Sequence, residues 1–186
     1  MVPILSLIWP ILLAAVLVFI ASSIFHMVLP LHQGDYGKVP NQGEVQEALR
    51  RFNIPPGDYM LPSPQGTKGM NDPAFIEAMT KGPSIIMTVI PNGPPAMGAS
   101  LAQWFAYCCV IGVFAAYIAG RALGPGASYL EVFRFAGTTA FAGYWLAQVQ
   151  SSIWYKRSWR TTLVYGFDSL VYAMLTAGAF GWLWPR

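Results

Sequence analysis

Four long runs of apolar residues alternate with one polar stretch and two short breaks. A bilayer-crossing helix needs about 20 mostly apolar residues, and Ile4–Leu29, Leu101–Gly120, Tyr129–Tyr155 and Arg160–Trp184 each supply such a run. No basic residue precedes the first, it exceeds the length of a signal-peptide core, and no A-x-A cleavage pattern follows it, so it predicts a retained helix. Pro10 predicts a kink in that helix. Gly124, Pro125 and Gly126 break the chain between the second and third runs. Trp154, Tyr155, Trp159, Trp182 and Trp184 stand near helix ends, where aromatic belts form at the headgroup level.

The polar stretch between the first two runs holds most of the acidic groups and most of the prolines. Asn41 followed by Glu44 resembles a capping box, and Val45, Ala48, Leu49 and Phe52 recur at helical spacing. Asp72 as N-cap, Pro73 at the first helical position and Gly82 as the stop predict a second helix with Phe75, Ile76 and Met79 on its apolar face. Tyr59–Leu61 and Ser84–Ile90 read as short strands. The pattern predicts a helix, strand, helix, strand cap docked on the bundle. The fold class is thus all-α membrane: a four-transmembrane-helix bundle with a small α/β extramembrane insertion between helices 1 and 2, divided at 1–29, 30–98 and 99–186.

Lipid gives helices no hydrophobic reason to associate, so small residues that allow close backbone approach mark the contacts. Cys108, Gly112, Ala116 and Gly120 form one such stripe, Thr139, Gly143, Ala147 and Ser151 a second, and Ser169, Ala173, Ala177 and Gly181 a third. The adjacent Cys108 and Cys109 sit in an apolar run and read as small packed side chains. The turn around Arg157 makes the last two helices antiparallel neighbours, and equal distance from it sets Asp168 beside a window near Leu146.

Asp168 is the one acid deep in the last apolar run. Placing an ionisable group at the centre of a membrane helix costs roughly 2.5–3.5 kcal/mol on translocon scales, so it should face protein or water. Gln148 is its expected partner, with Tyr144 at the same depth and Tyr165 and Tyr172 on its own helix as further donors. No cation is readable at that depth, which favours the neutral acid.

Composition strengthens the membrane reading. The 186 residues are 55% hydrophobic and 10% charged, against about 45–50% and about 25% in globular domains. A net charge of +3, carried by scattered Lys and Arg, excludes a nucleic-acid surface. Four spans put both termini on one side with Arg121, Arg134 and Arg186, while Lys156, Arg157 and Arg160 share the other with the insertion. The positive-inside rule then places the insertion in the cytoplasm and both termini outside.

His26, His32 and Asp35 cluster where the first run enters the insertion, and can supply two imidazoles and a carboxylate to a metal or other ligand. Their spacing matches no ligand motif, and histidines satisfied by local hydrogen bonds are the expected case, so no metal or cofactor is assigned. Glu131 and Arg134 read as a local ion pair. The chain has no G-x-S-x-G, H-E-x-x-H, P-loop or dinucleotide pattern, and no catalytic residue is nominated.

The segments His26-Met27-Val28-Leu29, Pro56-Gly57-Asp58-Tyr59, Leu101-Ala102-Gln103-Trp104-Phe105 and Phe167-Asp168-Ser169-Leu170-Val171-Tyr172, with the closing Phe180-Gly181-Trp182-Leu183-Trp184-Pro185, carry a resemblance. Over nearly its whole length the chain resembles a group of small uncharacterised bacterial integral membrane proteins. The resemblance implies a bacterial inner-membrane location and no catalytic residue. The expectation is a non-enzymatic accessory or interaction subunit in contact with the lipid bilayer and with other membrane-protein subunits. The alternative is a small proton- or ion-linked transporter using Asp168.

Overall fold

The computed structural model describes residues 1–64 and 66–186. In chain order these form α1 (Ile8–Ser23), α2 (Gln42–Arg50), β1 (Gly57–Leu61), α3 (Gly66–Gly69), α4 (Pro73–Lys81), β2 (Ile85–Val89), α5 (Met97–Ala122), α6 (Tyr129–Phe141), α7 (Ala147–Trp154) and α8 (Trp159–Trp182). The chain divides into two compact units, one of Met1–Gly37 with Ala96–Arg186 and the other of Lys38–Pro95.

Three helical runs in the first unit are long and apolar enough to cross a membrane: Ile4–Val28, Met97–Ala122 and Trp159–Trp182, of 25, 26 and 24 residues. They suggest a multi-pass membrane location. The fourth expected helix is divided, because a π-helical turn at Ala142–Leu146 separates the 13 residues of α6 from the 8 of α7. Neither piece alone is long enough to span a bilayer of about 20 helical residues.

The rods form a ring in which α1 packs on α5 and α8, and α6 packs on the same two. Small residues set the approach. A Cβ on Gly112 would lie 3.0 Å from Ile11 Cγ2 of α1, and one on Gly137 would lie 3.0 Å from Ala177 Cβ of α8. The stripes of α5 and α8 face inward, with Cys108, Gly112, Ala116, Ser169, Ala173 and Ala177 buried. On α6 the buried face is Val132, Ala136, Gly137 and Ala140, continued by Tyr144 of the π-helical turn, whereas Ala147 is exposed. Gly143 of the expected Thr139–Ser151 stripe still meets α5, where a Cβ would lie 2.5 Å from Ile111 Cδ1. The π-helical turn, which bonds i to i+5 and so inserts a residue, shifts the facing of the residues after it.

Local chemistry explains the helix starts. Ser128 Oγ accepts from Glu131 N at 3.4 Å, while Glu131 Oε2 accepts from Ser128 N at 2.9 Å and from its hydroxyl at 2.8 Å. Glu131 therefore completes a capping box rather than the expected pair with Arg134. Ser128→Ala should lower stability by about 1 kcal/mol, read from reversible unfolding in detergent; an unchanged midpoint would show that α6 does not depend on its cap. Pro10 lies in the first turn of α1, after a 3-10 turn at Ile4–Leu7. The first-turn amides lack helical partners anyway, so it starts the α-helix rather than bending its middle. Of the expected belt residues, Trp154, Trp159 and Trp182 are exposed. Trp184 is buried and donates to Gly124 O at 3.0 Å, locking the end of the chain to the α5–α6 turn.

In the second unit β1 and β2 pair antiparallel, with Tyr59 opposite Met87 and Leu61 opposite Ile85. Asp72 Oδ1 accepts from Ala74 N at 2.9 Å to cap α4, and Gly82 ends that helix at φ 61°. Asn41 precedes α2 in a left-handed conformation at φ 48° and makes no side-chain cap, so the capping box expected there does not form.

Candidate functional site

The first apolar helix ends in a π-helical turn, Ile24–Val28, and the chain then bends through a 3-10 turn at Pro30–His32. Leu29 N donates to Ile24 O at 3.0 Å and Asp35 N to His32 O at 3.1 Å. These turns return residues 30–37 to the helical unit, beyond the boundary at residue 29 suggested by the apolar pattern. They also bring His32 and Asp35 together with Asp168 of α8.

His32 Nδ1 lies 2.8 Å from Asp35 Oδ2, and its Nε2 lies 2.8 Å from Asp168 Oδ2. His26 stacks on the same imidazole with ring centroids 3.9 Å apart, and its Nε2 is 3.9 Å from Asp168 Oδ2. Asp168 is 1% exposed. A carboxylate only accepts, so His32 Nδ1–H donates to Asp35. The opposite edge then meets Asp168 with a second N–H, or accepts at Nε2 from the O–H of a protonated Asp168.

Tyr165 closes one side of the cluster, edge-on to His32 at 5.0 Å, and the Arg157 guanidinium lies 4.9 Å above its ring. Arg160 packs on the turn itself, because a Cβ on Gly34 would lie 2.8 Å from its Nη1. Among the described residues, Asp35 Oδ1, Asp168 Oδ1, the Tyr172 hydroxyl and Thr161 Oγ1 are buried without hydrogen-bond partners. Unpaired buried polar atoms are rare because each forfeits its hydration.

Asp168 and His26 open onto a cavity of about 450 Å³. Trp104, Tyr107, Tyr144 and Tyr172 form its aromatic wall, with Gln148, Tyr165, Ser22 and Ser169 also lining it. Tyr144 and Tyr172 meet edge to face at 5.5 Å, and Trp104 Nε1 donates to Ser22 Oγ at 2.8 Å. The antiparallel register expected around Arg157 is present: Ser152 and Thr162, equidistant from it, share a 2.6 Å hydrogen bond. Trp145 Nε1 donates to Thr162 O at 3.0 Å.

Two sets of residues that stand apart in the sequence therefore meet. Asp168, Gln148, Tyr144, Tyr165 and Tyr172 line one cavity with His26, and His32 and Asp35 join them through hydrogen bonds. The hydrogen bond to Asp168 among the described residues comes from His32, not Gln148, because the turn after α1 reaches the carboxyl first. Two imidazoles, which carry charge only when protonated, approach Asp168 from the neighbouring helix end, and no sequence pattern marked them at that depth. Ser22, Trp104 and Tyr107 escaped the sequence reading; the i, i+3 spacing of two amphipathic aromatics, Trp104 and Tyr107, was the available signal. No family model matches the chain, no curated protein or solved structure matches it either, and the resemblance to small bacterial membrane proteins is supported only at the level of three long apolar helices.

Proposed function

We propose that the chain is a four-span integral membrane protein that binds a cation inside its helical unit and acts as a small ion-linked transporter. One observation carries this reading. Asp168, buried at 1% exposure with an unpaired Oδ1, stands within 3.9 Å of two imidazoles at the edge of a cavity of about 450 Å³. Ionisable residues inside membrane helices mark ion pathways when they face such a cavity. The rod from α6 through α7, Tyr129–Trp154, supplies the fourth span; its 26 residues rise about 39 Å, more than the hydrocarbon thickness of about 30 Å. With four spans, the positive-inside rule puts the end of α1 that carries the site on the cytoplasmic side of a bacterial inner membrane.

The accessory-subunit reading rests on the outer face of α1, where Ile8, Trp9, Leu12, Val16 and Ile20 are exposed. Lipid requires the same surface, so that face favours neither reading, and the cavity beside Asp168 is what supports the transporter. The test is cation flux into proteoliposomes, measured across protons, Na⁺ and divalent cations. Asp168→Asn should fold with an unchanged circular dichroism spectrum and lose at least tenfold in flux. Equal flux in the two proteins, or none in the wild type, would overturn the proposal.

A further inference from the structure

We infer that His26 Nε2, His32 Nε2 and Asp168 Oδ2 form a binding site for a divalent transition-metal ion, with Asp35 as the outer partner that orients His32. This rests on the cation-binding reading above and names its ion class. The three ligand atoms lie within 4.8 Å of one another. Bonds of about 2.0–2.2 Å in tetrahedral geometry separate neighbouring ligand atoms by roughly 3.3 Å. The observed separations from Asp168 Oδ2 straddle that value, at 2.8 Å to His32 and 3.9 Å to His26. A shift of the carboxylate by roughly half an ångström from one ring toward the other evens these two separations, and a turn of the exposed His26 ring out of its stack on His32 converges the two Nε2 atoms on one ion.

Asp35 supplies what a metal-binding imidazole needs on its far side. Its Oδ2 lies 2.8 Å from His32 Nδ1, which orients the ring so that Nε2 faces Asp168. A metal bound there displaces the proton shared between Nε2 and Asp168 Oδ2. The unpaired Asp168 Oδ1 is a second, independent sign of a missing partner at this point. Two imidazoles and a carboxylate suit Zn²⁺, Fe²⁺ or Co²⁺, whereas Mg²⁺ and Ca²⁺ prefer all-oxygen shells. Because His26 and Asp168 line the cavity, the remaining coordination positions face it.

The test titrates the full-length protein in lipid nanodiscs with Zn²⁺ by calorimetry and with Co²⁺ by visible absorption. One equivalent should bind, with ligand-field bands of nitrogen-ligated cobalt, and Mg²⁺ should not compete. His26→Ala should weaken binding at least tenfold; its side chain is 39% exposed, so the fold should tolerate the change. Asp35→Asn should weaken it about 10- to 100-fold. Zn²⁺ binding that is unaffected by both variants overturns the site. If neither metal binds but Asp168-dependent flux of Na⁺ or protons persists, the metal inference falls and the cation reading stands. Absence of both binding and flux sinks the two together.

Discussion

Replacing His32 with alanine is expected to destabilise the protein by about 2–6 kcal/mol, the cost of leaving two buried carboxyl groups without a hydrogen-bond partner at about 1–3 kcal/mol each. The side chain is only 10% exposed and holds both Asp35 and Asp168 at 2.8 Å. Without it, two buried carboxyl groups each lose a hydrogen-bond partner. Each already has one unpaired oxygen, so neither has spare company to fall back on. Unfolding in mixed detergent micelles reads the loss, and adding Asp35→Asn and Asp168→Asn to the alanine variant should recover part of it. A loss below about 1 kcal/mol, the range of an exposed pair, would show that the turn after α1 does not hold the cluster.

Phe180→Ala should be comparably severe, at about 3–5 kcal/mol. Phe180 heads the fully buried side chains by volume and packs in a core with Leu7, Ile11 and Val132. The rest of that core is largely alanine, at Ala14, Ala115, Ala116, Ala119, Ala136 and Ala179. Short side chains on rigid helices cannot extend into the void, so the cavity persists and the dispersion contacts are lost outright. Phe180→Leu should cost much less, because most of the volume remains. If both substitutions shift the unfolding midpoint equally, helix rearrangement rather than cavity formation governs this end of the ring.

Long apolar helices were legible because their signal is local: an uninterrupted run of about 20 residues has few alternatives in water or lipid. The two strand segments and the Asp72 cap were legible for the same reason, each marked by residues within a few positions, whereas the pairing of the strands joins residues 24 to 32 positions apart and left no local mark. Asp168 announced itself as a charge in an apolar run, and its aromatic surroundings followed from helical spacing and the Arg157 turn. The division of the third apolar run was not legible, since a π-helical turn at Ala142–Leu146 leaves no compositional mark. Trp184 misled because an amphipathic ring suits a headgroup belt or a buried hydrogen bond equally well, and contact with Gly124 decided which.

The amino-acid order alone determined which stretches are too apolar for water, where helices begin at capping residues, and which ionisable groups are out of place. Only the tertiary structure decided that the misplaced acid and the distant histidines belong to one another. Asp168 and His32 are 136 positions apart, and no periodicity carries information across that distance. Their meeting depends on α1 packing against α8 and on the turn at Pro30–Asp35 folding back, and both depend on packing between helices rather than on any local preference.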